Sequence, residues 1–513
     1  MRFMERVNEM KHPLLVLLAI GLIVRLILAP LLTFNIDMGY WTQVIDVFKN
    51  GFGLYGTAGY YYTPIWGYYL GFVSGFMQLF GITDYGQFVS ELEHLVNSDF
   101  CVSTFVTSIQ FNFIVKLPLI IVDTVVALLV YRFVNDRTEN RNKALLAFAL
   151  VFFCPLIITE SSVHGTFDNL SVMFLILSVI FMTDRKYFIA GVAFGAATLT
   201  KFFPIFMIFF LVAYVLRKEG VDKNGVRKVL EAIAGAVVMF VLIYLPNIIK
   251  GDFWQSLYFL AYRIGITRET LASISPLMTV AIIAVLVLII GIIAFVISRY
   301  GPRFMEKMNS LDEGKRNKDA AKWIARVMAV VLVLVAIVSI IKTDSLEGGA
   351  FKLVLLVCVF SLFLEIYLAF RLLMLKEMND KNVITLLYLS ALAIIYWPCA
   401  ISYTLIFIPF VCIFIAMVDE KYKKWFIIFA VLATFCEITA YLLSPTSLFV
   451  QLGIGIGSLV PLYDFMANPW ILGMTGATIL TAIFEIPAYI TMLYLSFKFY
   501  WERKKEGRLW TEN

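Results

Sequence analysis

The chain has 513 residues, of which 61% are hydrophobic, 16% aromatic and only 15% charged, and its mean hydropathy is +0.87. Soluble domains are roughly half apolar, so a water-soluble fold is excluded; disorder is excluded as well, because it needs low hydrophobicity and high net charge. Lys plus Arg at 42 against Asp plus Glu at 36 leaves +6, too small a balance to mean nucleic acid, and the placement of those charges carries more than their sum.

A membrane-crossing helix needs about 20 mainly apolar residues. The first such window, residues 13–32, follows Arg2, Arg6 and Lys11, so the positive-inside rule puts the N-terminus in the cytoplasm. The length of this run, its Arg25 and the lack of a small-residue cleavage site argue against a cleaved signal peptide. Further windows are expected at 113–134, 144–159, 168–183, 187–201, 202–216, 229–248, 276–298, 327–341, 353–370, 383–399, 402–418, 425–443 and 470–497, which makes about 14 spans. Alternate connections are basic, from Arg132 to Lys143, at Arg185 and Lys186, from Arg217 to Lys228, Arg299 to Arg326, Arg371 to Lys381, Lys421 to Lys424 and Lys498 to Arg508. The expected class is therefore an all-α, multi-pass protein of the cell membrane with both termini cytoplasmic.

One apolar stretch breaks this parity, residues 63–82. Were it to cross, the segment from Asp84 to Asp99, with its four acids and no Lys or Arg, would sit on the wrong side. Residues 63–82 are therefore read as a helix in or dipping into the outer leaflet, inside one large external loop over 33–112. The expected organisation is a single integral membrane domain, with an N-terminal module over 1–248 and a C-terminal helical module over 249–513.

Ionisable side chains inside spans are expensive and each is a functional candidate. Arg25 is expected to snorkel to the interface and Glu365 to reach water near the end of its span. Lys116 and Asp123, seven positions apart on one helix, are candidates to pair with each other or with neighbours, whereas Glu437 and Glu485 lie deeper with partners unnamed by the sequence. A second set converges on external ends of spans: Asp37, then Glu160, His164 and Asp168 in the turn ESSVHGTFDN, Lys201 in LTKFFP, and Arg263 and Arg268 in YRIGITRE. Around them the loop is rich in aromatics, including Tyr61, Tyr62 and Trp66, whose rings suit sugars and the membrane interface equally. The six cysteines are scattered singly, so neither a disulfide framework nor a zinc site is expected. There is no nucleotide-binding glycine loop, and no cofactor or metal ligand set is expected, although a divalent ion is not excluded.

The stretch NIDMGYWTQVIDVFKNGFGLYGTAGYYYTPIWGYYL resembles the first luminal loop of C-type (GT-C) glycosyltransferases that use polyprenyl-phosphate sugars, most of all the mannosyltransferases of the glycosylphosphatidylinositol pathway and their prokaryotic relatives. VKLPLIIVDTVVALL, FFCPLIITESSVHGTFDNLSVMFLILS and GVAFGAATLTKFFPIFM follow in the same order. The resemblance implies an outward-facing transferase moving a hexose, mannose or glucose, from a polyprenyl-phosphate donor to a lipid-linked glycan or glycolipid acceptor, probing neither nucleotide nor nucleic acid. It implies that Asp37 is the general base, with inversion at the anomeric carbon. Lys201, Arg263, Arg268 and His164 would meet the departing phosphate, and Tyr61, Tyr62, Trp66, Glu160 and Asp168 the sugar or acceptor. Asn35 stands where the mannosyltransferase pattern has a second acid. The alternatives weighed are a transporter or flippase of lipid-linked saccharides and a noncatalytic subunit of a membrane complex.

Overall fold

The computed structural model describes residues 12–51, 53–55, 60, 62–89, 104–258, 261, 266–310, 361–375, 378–394, 401–441, 450–452, 462, 465–466, 468–471 and 473–505. The first helix, α1 (Pro13–Leu31), opens with proline at its first position, where the missing N–H costs nothing. It is followed by α2 (Asn35–Lys49) and α3 (Pro64–Leu79). An antiparallel pair, β1 (Gly86–Val89) with β2 (Thr104–Thr107), comes next, and Ser108 then caps α4 (Ile109–Thr138) by accepting from the Phe111 N–H. Asn140 caps α5 (Arg141–Phe152) in the same way.

Beyond a 47° bend, α6 (Pro155–Ile158) runs into a single π turn, Thr159–His164. The chain continues through α7 (Asp168–Thr183), α8 (Tyr187–Thr200), a 3₁₀ turn at Phe203–Met207, α9 (Ile208–Glu219), α10 (Lys223–Lys250), α11 (Phe253–Ser256), α12 (Arg268–Ala272) and α13 (Pro276–Ser310). Residues 361–373 are helical. After them come α14 (Asp380–Ala393), a 3₁₀ turn at Ile401–Ile406, α15 (Ile408–Met417), α16 (Lys423–Tyr441), the short antiparallel pair β3 (Pro469–Ile471) and β4 (Met474–Thr475), and α17 (Gly476–Lys505).

The architecture is that of a predominantly helical, multi-pass membrane protein. Among the described residues five helices are long and apolar enough to cross a bilayer, namely α1, α4, α10, α13 and the Gly476–Ser496 part of α17, or six if α5 and the bent segment after it count as one. Several other expected windows do form apolar helices, at Asp168–Thr183, Tyr187–Thr200 and Ile401–Met417, but each is shorter than the roughly 20 residues that hydrocarbon thickness asks for. The window at 327–341 lies outside the described residues. Residues 63–82 yield α3, which buries Trp66, Leu70, Val73 and Met77 along one face and exposes Phe72 and Leu79.

The chain divides into two compact units: Met1–Tyr60, Trp66–Ile176 and Ala400–Leu509 form the first, and Tyr61–Ile65, Leu177–Cys399 and Trp510–Asn513 the second. In the first, α1 packs on α4, α4 on α5, α15 on α5, and α16 on α17; in the second, α8 packs on α10. Cys154, Cys412 and Cys436 are free and buried, as expected of small apolar fillers; Cys101, Cys358 and Cys399 lie outside the described residues.

Two expectations about charged groups, those for Arg25 and Glu365, are corrected. Arg25 does not snorkel: it is fully buried and its Nε donates to Asp123 Oδ2 at 2.9 Å. Of the two pairings left open for Lys116 and Asp123, each residue takes the one with neighbours: Lys116 Nζ donates to the Ala29 and Leu32 carbonyls, at 3.1 and 2.7 Å, and to Thr33 Oγ1. These are orphan acceptors where α1 ends, and a cation there also suits the helix dipole. Glu365 does not reach water; it is buried and accepts from Ser390 Oγ on α14.

Candidate functional site

The most concentrated polar chemistry among the described residues belongs to the first unit, around the π turn. Proline at 155 starts a new helix just past the break that follows α5, and the turn ends on Gly165, whose φ of 79° needs a residue without a Cβ. Within the turn, Glu160 and His164 are i and i+4 and so share a face. The Glu160 carbonyl accepts from both the Gly165 and Thr166 N–H groups, at 2.9 and 3.0 Å. The Trp41 indole of α2 donates to the Gly165 carbonyl at 3.2 Å, which ties α2 to the turn. Single π turns are rare and recur at functional sites.

His164 is the hub. Its Nε2 lies 2.6 Å from Asp37 Oδ2, in the first turn of α2. Its Nδ1 lies 2.9 Å from Glu437 Oε1 of α16 and 3.3 Å from Glu160 Oε2. The imidazole, Glu160 and Glu437 are at most 2% exposed, whereas Asp37 is 18% exposed. Phe34 meets the imidazole edge-on at 5.3 Å. Thr166 Oγ1 donates to Glu160 Oε2 at 2.7 Å, while Glu160 Oε1 is buried with no hydrogen-bond partner among the described residues.

A second network belongs to the same turn. Asp123 accepts from Arg25 Nε, from Ser161 Oγ at 2.6 Å and from Asn169 Nδ2 at 2.6 Å. Arg25 in turn donates to the Phe152 carbonyl at 2.8 Å and lies over the Phe152 ring, 4.3 Å from its centroid. One buried carboxylate with three donors and one guanidinium with two further acceptors is a satisfied pair, and it locks α1, α4, the π turn and α7 together.

Of the residues singled out in the sequence, Asp37, Glu160 and His164 are brought together and Glu437 joins them from 273 positions away. Asp168 is buried in the first turn of α7, where a carboxylate suits the helix N-terminus. Trp66 is also buried; it stacks on Phe167 at 5.1 Å and packs against Trp41 and Tyr69, so its faces serve packing. Lys201 follows α8 in the second unit, its Nζ 5.4 Å from the centroid of the Tyr62 ring. Arg268 is the first residue of α12; Tyr61 and Arg263 lie outside the described residues. Ser161, Thr166 and Asn169 were missed as participants, although all three sit inside the polar turn ESSVHGTFDN.

Residues 46–278 match the family model described as GPI transamidase subunit PIG-U. No curated protein and no solved structure matches the chain. The family match overturns the resemblance to C-type glycosyltransferases, and with it the hexosyltransferase activity, the polyprenyl-phosphate sugar donor and the glycan or glycolipid acceptor; the flippase alternative falls too. The reason is visible in the motifs. Three of the four stretches that suggested a mannosyltransferase begin inside the matched segment and are mostly apolar, so each constrains a membrane pattern more than a chemistry. Over residues 46–278, the chain is similar to a subunit of GPI transamidase.

Proposed function

We propose that this chain is a multi-pass membrane subunit of a GPI transamidase-type complex, acting through protein partners within the bilayer. The observation that carries this reading is the match over residues 46–278 to the PIG-U transamidase subunit. The architecture agrees with it: the buried ionisable groups Arg25, Lys116 and Asp123 are spent on one another and on helix ends, as suits a rigid membrane scaffold. We place both termini on the cytoplasmic side and the π turn toward the opposite face, on the distribution of basic connections.

The test is isolation in a mild detergent of the tagged full chain from the cells that make it, followed by identification of co-isolated proteins and assay of GPI attachment to a reporter protein. Co-isolation with transamidase activity, and loss of GPI-anchored reporter when the chain is depleted, is the expected result. A chain that isolates alone, and whose depletion leaves GPI attachment unchanged, overturns the reading.

A further inference from the structure

We propose that His164 Nδ1, Glu160 and Glu437 hold a divalent transition-metal ion of the zinc or manganese class, with Asp37 fixing the imidazole from its other nitrogen. One ligand atom from each of the three residues lies within 4.8 Å of the others, and all three residues are buried. Ligands about 2.1 Å from one ion stand about 3.0 Å apart at right angles and about 3.4 Å apart in a tetrahedron. The separations from Nδ1, 2.9 Å to Glu437 Oε1 and 3.3 Å to Glu160 Oε2, fall on those edges.

The proton inventory points the same way. A neutral imidazole carries a single N–H. If that hydrogen is given to Asp37 from Nε2, then Nδ1 turns a lone pair toward two buried carboxylates, an arrangement that asks for a cation between them. Metal-bound histidines almost always direct their second nitrogen at a carboxylate or carbonyl, and Asp37 Oδ2 stands 2.6 Å from Nε2. An imidazolium alone would serve Asp37 and one glutamate of the three carboxyl groups around it. Among the described residues His164 is also the one basic side chain that pairs with either glutamate. Glu160 Oε1, buried and without a partner among the described residues, is an independent sign that a ligand is due on that carboxylate.

The donor set names the class of ion. Imidazole nitrogen favours zinc and its neighbours, carboxylate oxygen favours harder ions, and a mixed set of one nitrogen with two glutamates suits zinc or manganese. Three protein ligands leave at least one coordination position for a further ligand.

The proposal is independent of the transamidase reading and its test is read on the chain itself. The full chain, purified in detergent on a histidine-free tag, is stripped with chelator and then exposed to Zn²⁺ or Mn²⁺ alone; bound metal is counted by mass spectrometry and the thermal midpoint is recorded. The expected result is close to one ion per chain and a midpoint that rises with metal and falls again with EDTA. His164→Ala and Glu437→Gln should each lower occupancy at least about 10-fold, and Asp37→Asn should weaken affinity roughly 10- to 100-fold. The exposed control Lys143→Ala should keep full occupancy. Glu160→Gln and Glu437→Gln preserve side-chain shape, so monodisperse, cooperatively melting variants are compared. Wild-type protein that binds no more metal than the His164→Ala, Glu437→Gln double variant overturns the proposal, as does full occupancy in the folded glutamine variants. Failure here leaves the transamidase-subunit reading intact, and isolation of the chain without partners leaves the metal site intact.

Discussion

Arg25 and Asp123 illustrate what a single residue pair does in this membrane protein. Both are fully buried and each is satisfied by groups on other segments. Removing one partner strands the other charge, which typically costs about 3–5 kcal/mol, whereas replacing both by apolar residues of similar size is often neutral or better. Asp123→Leu should therefore lower the thermal midpoint sharply, and Arg25→Met with Asp123→Leu should recover most of the loss. If the double variant melts as low as the single one, the pair is not a self-contained unit and the hydrogen bonds from Ser161 and Asn169 matter more. The sequence marks each of these residues as costly but cannot join positions 98 apart. Of the two options it leaves for Lys116 and Asp123, the direct pair fails on length: seven residues along an α-helix is about 10 Å, too far for a direct bond. The hub has the same character. Asp37, Glu160 and His164 stand out as polar residues at helix ends, whereas their meeting with Glu437 depends on α16 returning beside the π turn.

Helices in lipid associate through close packing of small residues, and the second unit relies on this where α8 meets α10. Gly191 and Gly195 lie four apart on α8, and Gly235 faces them from α10; a Cβ at Gly191 would run into the Ala232 carbonyl, and one at Gly235 into the Phe188 carbonyl. Backbone cannot step aside as a side-chain tip can, so the cost should exceed the roughly 1–3 kcal/mol of ordinary overpacking. Gly191→Leu and Gly235→Leu should each lower the thermal midpoint, while Gly291→Leu on α13, where nothing lies within 4 Å, should leave it unchanged. Equal midpoints for the three variants would mean that α8 and α10 do not pack through these glycines. At this scale the sequence was informative: the apolar windows at 168–183 and 187–201 reappear as Asp168–Thr183 and Tyr187–Thr200, since hydropathy reports burial from water directly. The π turn and the strand pair β1–β2 were not legible. One extra residue in a turn changes no hydropathy, and the strands pair residues such as Gly86 with Thr107 across an intervening acidic segment.

For the molecule in its membrane, the first unit supplies an internal ruler. Asn140 and Lys143, at the start of α5, line one cavity together with Glu420 and Lys423, at the start of α16, so these basic connections share one end. Glu437, which reaches the His164 cluster, is 14 residues farther along α16 than Lys423, or about 21 Å at 1.5 Å per residue. That distance is most of a hydrocarbon core about 30 Å thick, so the proposed orientation would set the basic end and the carboxylate–histidine cluster near opposite leaflets. On the orientation proposed above, with positive charge cytoplasmic, Lys143 would face inside and the cluster outside. Single cysteines at exposed positions test this: in intact, sealed membranes a charged maleimide should label Thr83→Cys above the unsubstituted chain. Lys143→Cys should react only after the membranes are opened. The reverse pattern would invert the assigned orientation, and labelling of both from one side would mean that the first unit does not cross the bilayer between these points.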